Sequence, residues 1–159
     1  MQGLFVVNLL LALLWAVLTT SSRVDDLIVG FLIGFAVVSL YERDYGRRGA
    51  RLFSFVLYVL WKVFQSSITL AWYLIQPKLN FEPGIVAVPL DVQSPIEITT
   101  LASTITLTPG TLTIDLGVDK DGRKVLFVHS LFSSDPDAVR RGIKRDFERR
   151  IITIFHGEE

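Results

Sequence analysis

Few side chains in this 159-residue sequence have types and spacings that could do chemistry. The sequence contains no cysteine, so it can form neither a disulfide nor a thiolate metal site. Its two histidines, His129 and His156, lie too far apart to give a recognisable metal-ligand pattern. Because it contains no paired nucleophile and base, no glycine-rich phosphate loop and no metal spacing, we expect neither an enzyme nor a bound cofactor. The function must therefore lie in what the chain binds.

Three features remain as candidate sites. His129 falls in a strand-like run of Leu, Phe and Val, where it could sense pH, although a structural histidine is the commoner case. Lys62 is the only charged residue in the apolar run 52–75; it could line an ion route, pair with a partner carboxylate or extend to lipid headgroups. A four-residue turn could contact a partner or an anion, or could simply end a helix; it consists of Thr108, Pro109, Gly110 and Thr111.

The N-terminal half has a composition that suits a lipid environment. Half of all residues are hydrophobic, and long apolar runs occupy residues 4–18, 27–41 and 52–75. We expect a membrane region at residues 1–76 with helices at about 4–20, 26–41 and 51–76. The first run lacks a basic flank and a cleavage site, which favours a retained helix over a signal peptide. The first two helices are expected to pair as an antiparallel hairpin, because only the short joint at residues 19–26 separates them.

Two glycines and one amide in this hairpin indicate close helix packing. Gly30 and Gly34 are four residues apart and would let another helix approach closely, although glycine is also simply common in membrane helices. Asn8 could hydrogen-bond across the hairpin or to another subunit. The joint expected at 42–51 carries four arginines, whereas the joint at 19–26 carries one. The positive-inside rule therefore predicts that the arginine-rich segment lies in the cytoplasm.

The third run could cross the membrane or lie in its interface. An interfacial or steeply tilted helix would keep Lys62 wet, and it would place Trp61 and Trp72 in the headgroup layer. We prefer this interpretation; the alternative is a third span, about 36 Å long, whose polar side faces a partner subunit. The polar residues form one stripe at helical spacing: Arg51, Tyr58, Lys62, Gln65, Ser66, Thr69 and Tyr73.

After a linker at residues 77–84, the sequence predicts a small cytoplasmic α/β domain at residues 85–159. A strand is expected at 85–90, and because Pro89 cannot donate to a ladder, the strand should lie at a sheet edge or Pro89 should lie near the strand's end. A helix with a capping box at Ser94 and Glu97 follows. Strands at 111–118 and 124–131 flank an Asp-Gly turn, and a final arginine-rich helix follows. The expected order is β-α-β-β-α, with two helices on one face of the sheet. The arginines could touch anionic lipid, but they are more typical of a solvated face. Since no aromatic platform for bases is evident, no nucleic acid is expected.

Three segments of this domain resemble a known family, the E subunit of Mrp-type (Mnh) multisubunit cation/proton antiporters. They are Ser94–Glu97, Leu101–Leu112 and Val125–Leu131. The resemblance implies an accessory, non-catalytic subunit of a complex that exchanges sodium for protons in the bacterial cell membrane. It also implies that the partners are the other subunits and the lipid bilayer, with no small-molecule substrate bound directly. The alternative function is a stand-alone membrane-anchored domain that binds a lipid or a regulatory ligand.

Overall fold

Two apolar helices pack against each other in the N-terminal unit, Met1–Phe53, of the computed structural model. Helix α1 spans Gln2–Leu18 and helix α2 spans Val24–Tyr41, close to the predicted bounds. The structure describes residues 2–19, 23–77 and 81–157. Residues 20–22 of the predicted first joint and 78–80 of the predicted linker lie outside the described residues, as does the predicted last residue of the first helix, Thr20.

A single 33-residue helix, α3, spans Arg43–Ile75 and continues from the first unit into the second, Ser54–Glu159. The arginine-rich segment at 42–51, which we expected to be a joint, is helical except for Glu42. Arginine and alanine are good helix formers, and Asp44 in the first turn favours the start of a helix. One residue in an extended conformation, Glu42, is therefore enough to separate α2 from α3. The expectation of a ten-residue joint was wrong.

The second unit contains a three-stranded antiparallel sheet with the order β1-β3-β2. Strand β1 spans Gly84–Pro89, β2 spans Thr111–Val118 and β3 spans Lys124–Ser130. As predicted, the proline-containing strand β1 lies at an edge, because Pro89 cannot donate to a ladder. Strand β2 forms the other edge and has a β-bulge between Thr113 and Asp115. The Asp-Gly hairpin turn is present, with Gly122 at φ 78°.

Helices cover one face of this sheet. Helix α4 spans Pro95–Leu107, α5 spans Pro136–Ile143 and α6 spans Arg149–His156. A π-helical turn, Lys144–Glu148, joins α5 to α6, so the predicted single last helix contains one irregular turn. In that turn the Arg149 N–H donates to the carbonyl of Lys144, five residues earlier, whereas an α-helical N–H donates to the carbonyl four residues earlier.

The hydrophobic core of the second unit includes side chains from α3. Phe55 and Val59 of α3 are buried in the same cluster as strand and helix residues of the α/β domain. The division between compact units therefore falls at Phe53 and Ser54, whereas the predicted membrane region extends to residue 76. The other buried core residues come from β1 and the segment after it, from α4, from β3 and from the last helical segments. In chain order they are Val86, Val88, Leu90, Val92, Ile98, Leu101, Ile105, Leu126, Val128, Ile143, Phe147 and Ile151.

Candidate functional site

Part of the polar stripe of α3 faces the α/β domain of the same chain. Phe55 and Val59 enter the domain core, and Lys62 and Tyr73 make side-chain contacts with it. We call this line of contact, from Phe55 to Tyr73, the seam. The opposite side of α3 is apolar and exposed, and it consists of Leu57, Leu60, Trp61, Phe64, Ile68 and Trp72. This helix is therefore amphipathic, and the domain occupies part of its polar side, while Gln65 and Thr69 of the same stripe are exposed.

An ion pair lies at the centre of the seam. Lys62 Nζ is 2.8 Å from Asp146 Oδ2, and the two side chains are only 26% and 17% exposed. The other oxygen, Asp146 Oδ1, accepts a hydrogen bond of 2.9 Å from Arg145 Nε. Burial disfavours the ionised form of Asp146, but the hydrogen bonds from Arg145 and Lys62 outweigh it and hold its pKa below the ordinary value. The carboxylate thus stays charged and links two cations.

Aromatic contacts continue the seam in both directions. The guanidinium of Arg150 lies over the Tyr58 ring, 3.8 Å from its centroid. At the other end, the Tyr73 and Phe132 ring centroids are 4.8 Å apart, and Phe81 completes this aromatic cluster. The first and last of these contacts, at Phe55 and Tyr73, are thus 18 residues apart, which is about 27 Å of helix.

Two buried glutamates hold the domain together behind the seam. Glu148 is 1% exposed; its Oε1 accepts hydrogen bonds from the backbone N–H groups of Asp91 and Val92, at 2.7 and 3.1 Å. Its Oε2 lies 2.8 Å from Lys144 Nζ, which also contacts Asp91. These bonds attach the segment after β1 to the π-helical turn.

The second glutamate, Glu97, forms the predicted capping box with Ser94 at the start of α4. Its Oε1 lies 2.7 Å from His156 Nε2 at the end of α6. Burial opposes ionisation of Glu97, but hydrogen bonds from the backbone of Ser94 and Gln93 and from His156 lower its pKa overall. The contact therefore joins the start of α4 to the end of the last helix.

Sequence reasoning missed most of these contacts. Asp146 and Glu148 belong to the arginine-rich last helix, for which the sequence predicts a solvated face, and the sequence predicts no contact for His156. The one available signal was Lys62, because a lysine in an apolar run needs a nearby anion or water. Nothing in a single sequence indicates which carboxylate supplies it, and the actual partner is 84 residues away.

The three packing residues predicted in the hairpin come together. Asn8 is fully buried, and its Nδ2 donates to the Tyr45 hydroxyl at 3.2 Å. A Cβ on Gly34 would collide with Asn8 Oδ1, and one on Gly30 would lie 2.8 Å from Trp15 Cβ. Both glycines therefore face α1 of the same chain. Contact of any of these residues with another subunit stays a prediction.

The remaining candidates are dispersed over the second unit. Gln65 is exposed on α3. His129 is half-buried on β3, paired with Leu112 and Ile85, which are exposed on the sheet face away from the core. A pH-sensing role for His129 stays a prediction.

The Thr-Pro-Gly-Thr turn ends α4. Thr108 is the C-cap, Gly110 has φ 93°, and Thr111 Oγ1 donates to the carbonyls of Ile105 and Thr108. The two threonines thus bind their own helix end; a contact of Pro109 or its neighbours with a partner stays a prediction.

The sequence has relatives over nearly its whole length. It matches the family model described as Na+/H+ ion antiporter subunit (MNHE) over residues 8–154. It is 29% identical over 152 residues to the E subunit of the Na(+)/H(+) antiporter of Alkalihalophilus pseudofirmus, covering 92% of this chain and 94% of that relative. It is 28% identical over 161 residues to the E subunit of the Na(+)/H(+) antiporter of Bacillus subtilis, with the same two coverages. The resemblance inferred from the three segments is confirmed.

Two solved structures are similar to the chain. A chain of the Mrp complex from Dietzia sp. matches with a TM-score of 0.50 and 31% identity, covering 64% of this chain and 93% of that chain. A chain of the membrane-bound sulfane sulfur reductase, an archaeal respiratory membrane complex, matches with a TM-score of 0.56 and 25% identity, covering 96% and 98%. Apolar helices followed by a small sheet with helices are thus an arrangement shared with large membrane complexes.

The hairpin contact can be tested with one methyl group. Gly34→Ala should lower the free energy of unfolding of the full chain in sodium dodecyl sulfate by about 1–3 kcal/mol, because the new Cβ collides with Asn8. Gly3→Ala is the matched control, since nothing lies within 4 Å of a Cβ there. The measurement is helical circular dichroism in mixed micelles. Equal midpoints for the two variants would contradict the packing described.

The ion pair at the seam should contribute measurable stability. Lys62→Met should lower the free energy of unfolding at neutral pH by about 1–2 kcal/mol. Breaking a fully buried pair costs roughly 3–5 kcal/mol, and the cost here is smaller because both side chains keep some solvent contact. Asp146 contributes stability above its unfolded pKa, near the ordinary 3.8, and loses it as pH falls through the lower folded value. The difference between wild type and variant should therefore vanish in acid.

Chemical denaturation at several pH values checks this prediction. Arg141→Met serves as the control because the Arg141 side chain is 71% exposed and its partner Asp135 is 59% exposed. We expect no measurable change for it at neutral pH. A Lys62→Met effect that is absent at neutral pH, or that persists unchanged in acid, would refute the assignment.

Proposed function

The chain belongs to the Na+/H+ ion antiporter subunit family, and we propose that it is an accessory, non-catalytic subunit that supports the assembly and activity of a multisubunit Mrp-type antiporter. The relatives named as E subunits of such antiporters and the similar chain of an Mrp complex support this proposal. Its partners are the other subunits of that complex. It is a component of a transporter and not an enzyme.

The pairing of Lys62 within its own chain is the observation that best supports an accessory role. Proton and ion routes through a membrane are normally lined by ionisable side chains. The apolar runs 4–18 and 27–41 contain no charged residue, and the one charge in the run 52–75 is bound to Asp146 of the same chain. This supports a subunit that leaves ion movement to its partners and contributes its surfaces to the assembly.

We place α3 along the membrane surface. By length and composition, α2 and α3 could each cross a bilayer, and α1 is a shorter apolar helix. A hydrocarbon core is about 30 Å thick, and the domain contacts α3 over about 27 Å. If α3 crossed, Arg145, Asp146 and Arg150 would enter lipid, at about 2.5–3.5 kcal/mol for each such charge at the centre. An interfacial α3 keeps its apolar side in lipid and the domain in water.

The same geometry supports a cytoplasmic domain. If α1 and α2 cross and α3 does not, the C-terminal domain lies on the side where α2 ends. That end is followed by four arginines in the first turns of α3, and such clusters favour the cytoplasmic side; they are Arg43, Arg47, Arg48 and Arg51. The hairpin would then pack on neighbouring subunits, and the domain would support the assembly from the cytoplasm.

Purification with and without the other subunits tests the accessory role. We expect the tagged chain to co-purify with the larger membrane subunits. The chain alone in proteoliposomes should show no Na+/H+ exchange, whereas a complex prepared without it should lose subunits and activity. Exchange by the chain alone would overturn the proposal. A monodisperse particle containing this chain alone would instead support a stand-alone binding domain.

Single-cysteine labelling tests the position of α3, and the sequence has no native cysteine to remove. Ser54→Cys, Gln65→Cys and Gln76→Cys should all react with a membrane-impermeant maleimide in inverted vesicles and not in intact cells. All three positions are exposed; Ser54 and Gln65 lie at the start and middle of the α3 portion of the second unit, and Gln76 directly follows its end. Leu32→Cys in α2 is the control and should be protected. Labelling of Gln76→Cys from outside the cell would show that α3 crosses.

A further inference from the structure

The seam carries more positive than negative charge. Lys62 and Arg145 share the single carboxylate of Asp146, at 2.8 and 2.9 Å. Arg150, beside them on Tyr58, has no carboxylate partner among the described residues. Three cations and one anion thus meet along one side of α3. The Arg145 side chain is 76% exposed, so this excess charge is accessible from solution.

The π-helical turn brings two of these cations to the same side. Across this turn a backbone hydrogen bond reaches back five residues, from the Arg149 N–H to the Lys144 carbonyl, so the turn holds more residues than an α-helical turn. Residues five apart therefore lie closer to the same side than they do in an α-helix, which brings Arg145 nearer to the side of Arg150. In a regular α-helix, side chains align at spacings of three or four, and these two arginines would diverge. Such irregular turns are frequent at functional sites.

Arg150 is held in a position suited to binding an anion. Its guanidinium lies over the Tyr58 ring, a contact that uses the face of the group. The N–H donors lie in the plane of the guanidinium and point outward, so the stack leaves them free. Because the ring fixes the side chain in advance, little conformational freedom is lost when an anion binds.

Tyr58 lies at the edge of the exposed apolar side of α3. Leu57 directly precedes Tyr58, and Trp61 lies about one turn after it. Both side chains are more than half exposed. Tyrosine and tryptophan at such an edge are typical of the headgroup layer. Gln65 follows on the same line of the helix, seven residues after Tyr58, and is also exposed. A polar edge with cations above it and apolar side chains below it matches the order of phosphate and acyl chain in a lipid.

We propose that Arg150, together with Arg145 and Lys62, binds the phosphate of an anionic phospholipid headgroup at the seam, with the acyl chains lying along Leu57 and Trp61. The proposal rests on the interfacial position of α3 proposed above. The guanidinium of Arg150 supplies paired donors for two phosphate oxygens, and the net positive charge selects an acidic lipid over a zwitterionic one. The lipid would fix the depth and rotation of α3 in the membrane.

Lipid retention by the full chain, measured by native mass spectrometry after delipidation and addition of lipid, tests this site. We expect retained phosphatidylglycerol and little phosphatidylcholine. Arg150→Gln should lower phosphatidylglycerol affinity about fivefold, which corresponds to about 1 kcal/mol for one interfacial cation. Arg150→Lys keeps the charge and should recover part of the affinity. Millimolar inorganic phosphate should not displace the lipid; displacement would identify a free-phosphate site and refute a lipid site.

Arg149→Gln is the matched control, because it removes the same charge from the next residue, which is exposed and does not contact Tyr58. It should change affinity much less than Arg150→Gln. Equal effects of the two variants, or equal retention of both lipids by the wild type, would refute the site. If such a result accompanies cytoplasmic labelling along the whole of α3, only the lipid site fails. If Gln76→Cys is labelled from outside, the interfacial position fails as well.

Discussion

The pairing of Lys62 with Asp146 is the interaction on which the second unit depends. A lysine in a long apolar helix needs an anion or water, and here the anion comes from the last helical segment of the same chain. The pair fixes the rotation of α3 against the domain, because only one side of the helix can face Asp146. Phe55, Val59 and Tyr73 are then directed to the domain, and the large apolar side chains are left on the outside. One charge thus decides which face of α3 is available to lipid or to other proteins.

The local features of the fold were predictable because their signals lie within a few residues. The capping box at Ser94 and Glu97, the turn at Gly122 and the edge strand ending in Pro89 follow from backbone chemistry that any sequence shows directly. The spacing of Gly30 and Gly34 likewise indicated close helix packing. These predictions needed no knowledge of the rest of the chain, and the structure contains each feature.

The features that could not be predicted depend on residues distant in sequence. Whether Asp146 or another carboxylate pairs with Lys62 is decided by tertiary packing. The π-helical turn has no reliable pattern in the sequence, since its residues are ordinary helix formers. The continuity of α3 through residues 43–51 was missed because a cluster of arginines between apolar runs resembles a loop, although arginine favours helix. In each case the deciding energy comes from context rather than from local preference.

The two edges of the sheet have a consequence for how this domain meets other proteins. At β1, Pro89 lacks an N–H and the Arg140 side chain already donates to the Ala87 carbonyl at 2.7 Å. At β2, the bulge interrupts the ladder and the Thr113 N–H is bonded to Thr106 Oγ1. Each edge is therefore interrupted as a template for an extended peptide, because at least one of its outward backbone groups is missing or already bonded. In a crowded membrane surface such interruptions work against fibre-like self-assembly through these edges.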